Sequence, residues 1–208
     1  MTLTAGVKHL TKTREIVFLM KILLFGASGS GTTTLGNKIE KRTDFKHLDV
    51  DDYYWRKTNP PYQVKTPLIE RNENLKADFI NFENVVISGS MVSWGKEWET
   101  AFDLAVFIRL ENTERMERLK KREIERYGKK LITDKNIQQN SKVFLEWADQ
   151  YEKPNFNGRS LKIHTDWIAL LNCKTLTIDG KKELDEKVET VLNEIKTYYN
   201  RVDGADPN

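Results

Sequence analysis

One cysteine, Cys173, stands in the whole chain, so no intrachain disulfide can form and a reducing compartment is expected. With no paired histidine motif, Cys173 is not a catalytic thiol, and no residues fall at zinc-ligand spacing. No apolar run approaches the roughly 20 residues that span a bilayer, so no membrane partner is expected. There is no internal repeat and no low-complexity tract. Charge of one sign is also scarce, since a net +3 is too small to imply nucleic acid by itself. What is present fits one ordinary core. The 208 residues are 38% hydrophobic and 31% charged, which suits one α/β domain or a core with small inserted lobes.

Lys8, Lys12 and Arg14 precede the apolar stretch Ile16–Phe25, a superficial likeness to a signal peptide. Lys21 interrupts that stretch, and cleavage near Ala27 would cut the glycine-rich segment that follows. Lys21–Phe25 is better read as the first buried strand. Residues 1–19 are then an extension, Met20 a candidate start, 20–200 the folded domain and 201–208 a tail that frays from Asp203. A cytoplasmic location is the expectation.

Apolar runs and helical periods alternate along the domain. Strands are predicted at Ile22–Phe25, Phe45–Leu48, Val85–Ser88, Leu104–Ile108 and Leu176–Ile178. Helices are predicted between them, marked by Leu35 and Ile39, then Leu68, Leu75, Phe79 and Phe82, then Met116, Leu119 and Tyr127, then Phe144 to Tyr151, and last Leu184 to Tyr198. Thr66-Pro67 reads as an N-cap with proline at the first helical position. Lys57–Pro67 reads as a surface loop and Asn155–Arg159 as a turn. Such alternation predicts a five-stranded parallel sheet flanked by helices, with ligands at the carboxyl ends of the strands.

Gly26-Ala27-Ser28-Gly29-Ser30-Gly31-Thr32-Thr33 follows a strand and opens a helix, the context a phosphate loop requires. Glycines let the backbone wrap a phosphate, whose charge meets converging N–H groups and the helix N-terminus. Thr33 holds the position whose hydroxyl ligates Mg²⁺, and Thr34 follows it. Where the usual motif carries lysine, this chain has Thr32. A neutral hydroxyl hydrogen-bonds phosphate but cannot balance its charge, so either cations elsewhere compensate or nucleotide is bound without fast transfer.

Between Arg109 and Lys130 nine Lys/Arg face five Asp/Glu, a local +4. At about 100° per residue, Arg115, Arg118, Arg122 and Arg126 share an arc of roughly 80° on one helix face. Glu114, Glu117, Glu123 and Glu125 could offset them as a plain solvated face. His164 shares a helical face with Leu161, Ile168 and Leu171 and reads as a packed histidine.

On its loop, the chain resembles the nucleoside-monophosphate kinase and shikimate kinase group of P-loop kinases. It is most similar there to bacterial proteins labelled adenylate kinase or shikimate kinase-like, which share a Gly-Ser-Gly-Thr-Thr-Thr loop and start near the position of Met20. The resemblance covers most of residues 20–200. It implies a P-loop NTPase fold with acceptor-binding and lid insertions. It also implies ATP and Mg²⁺ as cofactors, and γ-phosphoryl transfer to a nucleoside monophosphate or small hydroxyl metabolite. Asp49-Val50-Asp51-Asp52 falls where such enzymes place an Asp-x-Asp pair near metal and acceptor; a carboxylate there could order metal-bound water or hold a hydroxyl, and Asp51 is the better candidate. Arg118 and Arg122 resemble the lid arginines that contact ATP. Arg71 and the turn Ser88-Gly89-Ser90 fall in acceptor-binding regions, and Tyr53, Tyr54 and Trp55 beside the acidic cluster could line the same pocket. A second reading is a nucleotide-binding regulatory or interaction protein with little turnover, favoured by Thr32. RNA binding through the arginine helix is a third, without an RNA-binding fold signature to accompany it.

Overall fold

In a computed structural model, the structure describes residues 19–203, with side chains to Arg201. Of the extension expected over residues 1–19, all but Leu19 lies outside it, as do the last five residues. The element order is β1 (Lys21–Gly26), α1 (Thr32–Glu40), β2 (Lys46–Asp49), α2 (Val50–Tyr54), α3 (Leu68–Asn81), β3 (Val85–Ser88), β4 (Leu104–Arg109), α4 (Asn112–Tyr127), α5 (Lys130–Thr133), α6 (Lys135–Ala148), α7 (Leu161–Ile168), β5 (Lys174–Asp179) and α8 (Leu184–Asp203).

The five strands form one parallel sheet in the order β2-β3-β1-β4-β5. β1 is central because Ile22 to Phe25 are apolar without interruption, and all four are fully buried. Its alternate residues feed two cores. Ile22 and Leu24 join Leu35 and Ile39 of α1 and Val188, Val191 and Ile195 of α8. Leu23 and Phe25 join Leu75 of α3, Trp94, Trp98 and Trp167 of α7 on the opposite face. Met116, Leu119 and Ala148 form a smaller cluster between α4 and α6.

Each predicted strand is present: β3 has the predicted bounds, and the other four are shifted or lengthened by one or two residues at their ends. The Thr66 cap is a correction. Helix α3 begins at Leu68 with Pro67 as its cap and no side-chain bond there. Thr66 is committed elsewhere: its N–H donates to the Tyr54 carbonyl at 2.8 Å, and Arg56 N–H donates to Val64 at 2.8 Å. With the antiparallel bridge Trp55–Lys65, these bonds close the predicted surface loop into a hairpin-like flap. Residues 201–203, expected in the tail, are the last turn of α8. Among the described residues no helix is long and apolar enough to cross a membrane.

β1 has β3 on one side and β4 on the other, so the chain changes direction across the sheet at its carboxyl end. That crevice is where an open parallel sheet receives ligands.

Candidate active site

The segment leaving β1 at Gly26 turns back into α1 within five residues. A side chain at Gly26 would meet the Ile108 carbonyl at 2.5 Å, so only glycine lets β1 and β4 stay paired there. Gly31 caps α1 at φ 100°, a left-handed conformation that side chains disfavour. Ser30 N–H donates to Ala27 O at 3.0 Å, tightening the turn, and the Ser30 hydroxyl is buried without a partner. No acidic residue lies in the first turn of α1, which opens with Thr32, Thr33 and Thr34, the latter two exposed. A hydroxyl-lined helix N-terminus with free N–H groups accepts phosphate oxygens.

Across the crevice, β2 delivers the acidic cluster. The Asp49 carboxylate accepts the Asp51 N–H at 2.9 Å and so caps α2, leaving Asp51 and Asp52 on its exposed first turn. Asp51 is reached by water, with protein packed around it on its other sides. Its pKa is raised, first by burial and then by Asp49, while Arg159, Arg122 and Arg126 act against the rise. Farther along, the Arg71 guanidinium packs against both Tyr54 and Trp94, 4.3 and 4.8 Å from their ring centres. Arg71 is only 7% exposed and its Nε has no hydrogen-bond partner.

The arginines of α4 share a face but part ways in what they touch. Arg115 is wholly buried. It donates to Glu152 at 2.7 Å, to Asn112 at 2.8 Å and to the carbonyls of Ser28 and Ala148. It therefore braces the phosphate loop from behind. Arg118 is exposed and donates to Gly180 O at 3.3 Å. With Gly31, Thr34, Lys181, Lys182 and Lys187 it walls an open cleft of about 250 Å³ beside the start of α1. Arg122 is half-buried over the Phe144 ring at 5.6 Å, its Nε unpartnered, and Asp51 is among the charges acting on it. Arg126 pairs with Glu123 at 3.1 Å and lies on the Tyr62 ring at 4.3 Å. Asn140 of α6 also donates to Gln63 at 3.1 Å, so the α4–α6 unit meets the flap over the cleft.

A family model for AAA domains matches residues 22–143. The chain belongs to that AAA-domain family. A relative from Bacillus subtilis (strain 168), "Uncharacterized protein YqaC", is 37% identical over 172 residues, 83% of this chain and 95% of the relative. Two solved structures share the fold. A shikimate kinase from Acinetobacter baumannii in complex with shikimate has a TM-score of 0.52 at 16% identity, covering 88% of this chain and 96% of that one. Another from Bacteroides thetaiotaomicron has a TM-score of 0.51 at 16% identity, covering 86% and 99%. The AAA-domain fold here is thus a P-loop kinase-like one.

Of the residues singled out in the sequence, the structure gathers Gly26 to Thr34, Asp49, Asp51, Asp52, Arg118 and Arg122 around the carboxyl edge of the sheet. Trp55 stands at the flap hinge, its ring 5.0 Å from Tyr54 and 5.9 Å from Tyr62. Ser90 faces the interior: its hydroxyl meets His164 Nε2 at 2.9 Å, and Val50 fills the space beside Gly89. His164 is fully buried as expected, and Tyr151 bonds its other nitrogen at 2.7 Å. Arg159 escaped sequence reasoning. It sits in the segment read as a turn, yet its Nη2 lies 3.4 Å from the Ser28 hydroxyl, 131 positions away. A lone arginine in a Gly/Asn/Pro stretch carries no local signal of that contact.

Proposed function

We propose that the protein transfers the γ-phosphoryl group of a nucleoside triphosphate, with Mg²⁺, to a small anionic acceptor. The observation that carries this reading is the glycine-shaped loop opening α1, on the same carboxyl edge of the sheet as Asp51. The loop backbone would hold the β-phosphate. Arg118 and the basic cleft beside Thr34 would take the nucleoside end, and Arg122 would face the phosphates.

The residues present fit Mg²⁺ of the phosphate-bound kind. Among the described residues no cluster of three or more acidic, His or Cys groups could cage a metal. The Thr33 hydroxyl and one or two carboxylates at Asp51 and Asp49 suit an ion that keeps water and phosphate as its other ligands. The metal would supply charge neutralisation on the phosphates. Asp51 would order water or an acceptor hydroxyl.

Arg71 supports an anionic acceptor. A buried guanidinium held against two aromatic rings, with an unpaired Nε, is a preorganised site for a carboxylate or phosphate. ATP is the donor we would try first. The experiment is transfer from γ-labelled ATP to a panel of nucleoside monophosphates and small hydroxy acids, read as new labelled product. Thr32 favours a second reading, a nucleotide-binding regulator with little turnover. Bound nucleotide with no product from any acceptor would support that reading instead.

A further inference from the structure

The loop has lost its lysine, and residues 26–34 contain no cation at all. A triphosphate in that loop would meet N–H groups and hydroxyls but no formal positive charge from the loop itself. Of the cations around it, Lys181 and Lys182 pair with Glu114 and Glu186, and Lys187 donates to the Gly180 and Lys182 carbonyls. Four arginines remain, and their contacts separate them. Arg115 reaches Ser28 O, but its charge is spent on Glu152 in a buried pair. Arg118 turns to Gly180 O at the nucleoside end of the cleft. Arg122 lies over Phe144 and touches no loop residue. Of the four, Arg159 alone donates to a loop residue's side chain, with no ion pair to a carboxylate among the described residues.

Its position is a built one. The segment carrying it is pinned on its far side, where the Ser160 hydroxyl caps α7 through Ile163 N–H at 3.2 Å and Leu161 N–H donates to Tyr151 O at 2.8 Å. The guanidinium rests on the Trp147 ring at 5.2 Å. Its contact to the Ser28 hydroxyl, 3.4 Å, is long for a hydrogen bond, and phosphate oxygens make shorter, charge-assisted ones. Ser28 lies in the crown of the loop, between Gly26 and Gly31. Asp51 is the foremost charge attracting Arg159, so the arginine stands between the loop and the acidic side of the cleft.

From this geometry we infer that Arg159 is the cation that replaces the missing lysine, contacting the distal phosphates of the bound nucleotide over the loop crown. The inference rests on the nucleotide-binding reading above. It makes the charge come from the loop between α6 and α7 instead of from α1.

The test is a double-mutant cycle read by calorimetric binding of Mg·ATP and Mg·ADP. Arg159→Ala should weaken ATP binding about 10- to 100-fold, the scale of one lost charge-assisted contact, and weaken ADP binding less. Arg159→Lys should keep most of the affinity. Thr32→Lys should restore at least about tenfold in the Arg159→Ala background, clearly more than whatever it changes in the wild type, because one cation then takes the place of the other. Restored affinity is the decisive readout, since a purely structural role of Arg159 would not be repaired by a lysine on α1. If Arg159→Ala does not fold, Arg159→Gln enters the same cycle. Unchanged ATP affinity in a folded Arg159 variant, or equal gains from Thr32→Lys in both backgrounds, would overturn the proposal. A wild type that binds neither nucleotide would instead bring down the nucleotide-binding reading itself, and this inference with it.

Discussion

Asp51 shows how one residue's surroundings set its chemistry. Burial and the neighbouring Asp49 raise its pKa, so its charged form is the costly one in the folded protein. Above its folded pKa this carboxylate therefore lowers stability, and the penalty is relieved as pH falls through that value. Asp51→Asn should raise the melting temperature at pH 8 and change it little near pH 4, as differential scanning fluorimetry across pH would read. The same variant should lose transfer activity and the limb over which activity rises above the ordinary carboxylate range. At this scale the phosphate loop was legible, because a backbone that must turn left-handed at Gly31 and admit Ile108 O at Gly26 writes itself as glycine. Arg159 was not legible, because nothing local requires an arginine there.

Helix α4 shows what periodicity reads and what it omits. The wheel puts Arg115, Arg118, Arg122 and Arg126 on one face, and the structure keeps them there. What each one meets is tertiary: Ala148 at the end of α6 and Glu152 just beyond it enclose Arg115, while the flap's Tyr62 covers Arg126. Arg122→Ala should therefore slow transfer by about 30-fold or more, the cost of a lost charged contact to the transferring group. Arg126→Ala, already paired with Glu123, should slow it much less, with both rates read by labelled-product formation. Helix α7 makes a stability statement of its own. His164 bridges Ser90 and Tyr151, and burial lowers its pKa from 6.5 to about 3. It stays neutral in the fold while the unfolded chain takes up its proton below 6.5, so stability is lost as pH falls from there toward 3. His164→Ala should cost about 2–4 kcal/mol in urea unfolding at neutral pH, through a cavity and two stranded hydroxyls, and should flatten that acid slope.

Over the whole molecule, alternating strands and helices foretold a parallel sheet but not its order, because a strand's neighbours depend on which faces its helices cover. The order β2-β3-β1-β4-β5 puts the loop after β1 at the point where the sheet reverses its winding, with Asp49 and Asp51 at the end of an edge strand. The two cores explain that placement: α1 and α8 close one face of β1, and α3 and α7 close the other, leaving its carboxyl end open. The flap between Trp55 and Lys65 read only as a loop, because one bridge and two backbone bonds have no sequence period. Calorimetric titration of ATP into the wild type and Thr33→Ala, each with and without Mg²⁺, measures most directly whether this open end is a nucleoside triphosphate site. The expected result is at least about tenfold weaker Mg·ATP binding in Thr33→Ala, with metal-free ATP binding nearly unchanged, because only a contact to the metal is removed. Equal weakening with and without Mg²⁺, or no ATP binding by the wild type, would contradict the site described.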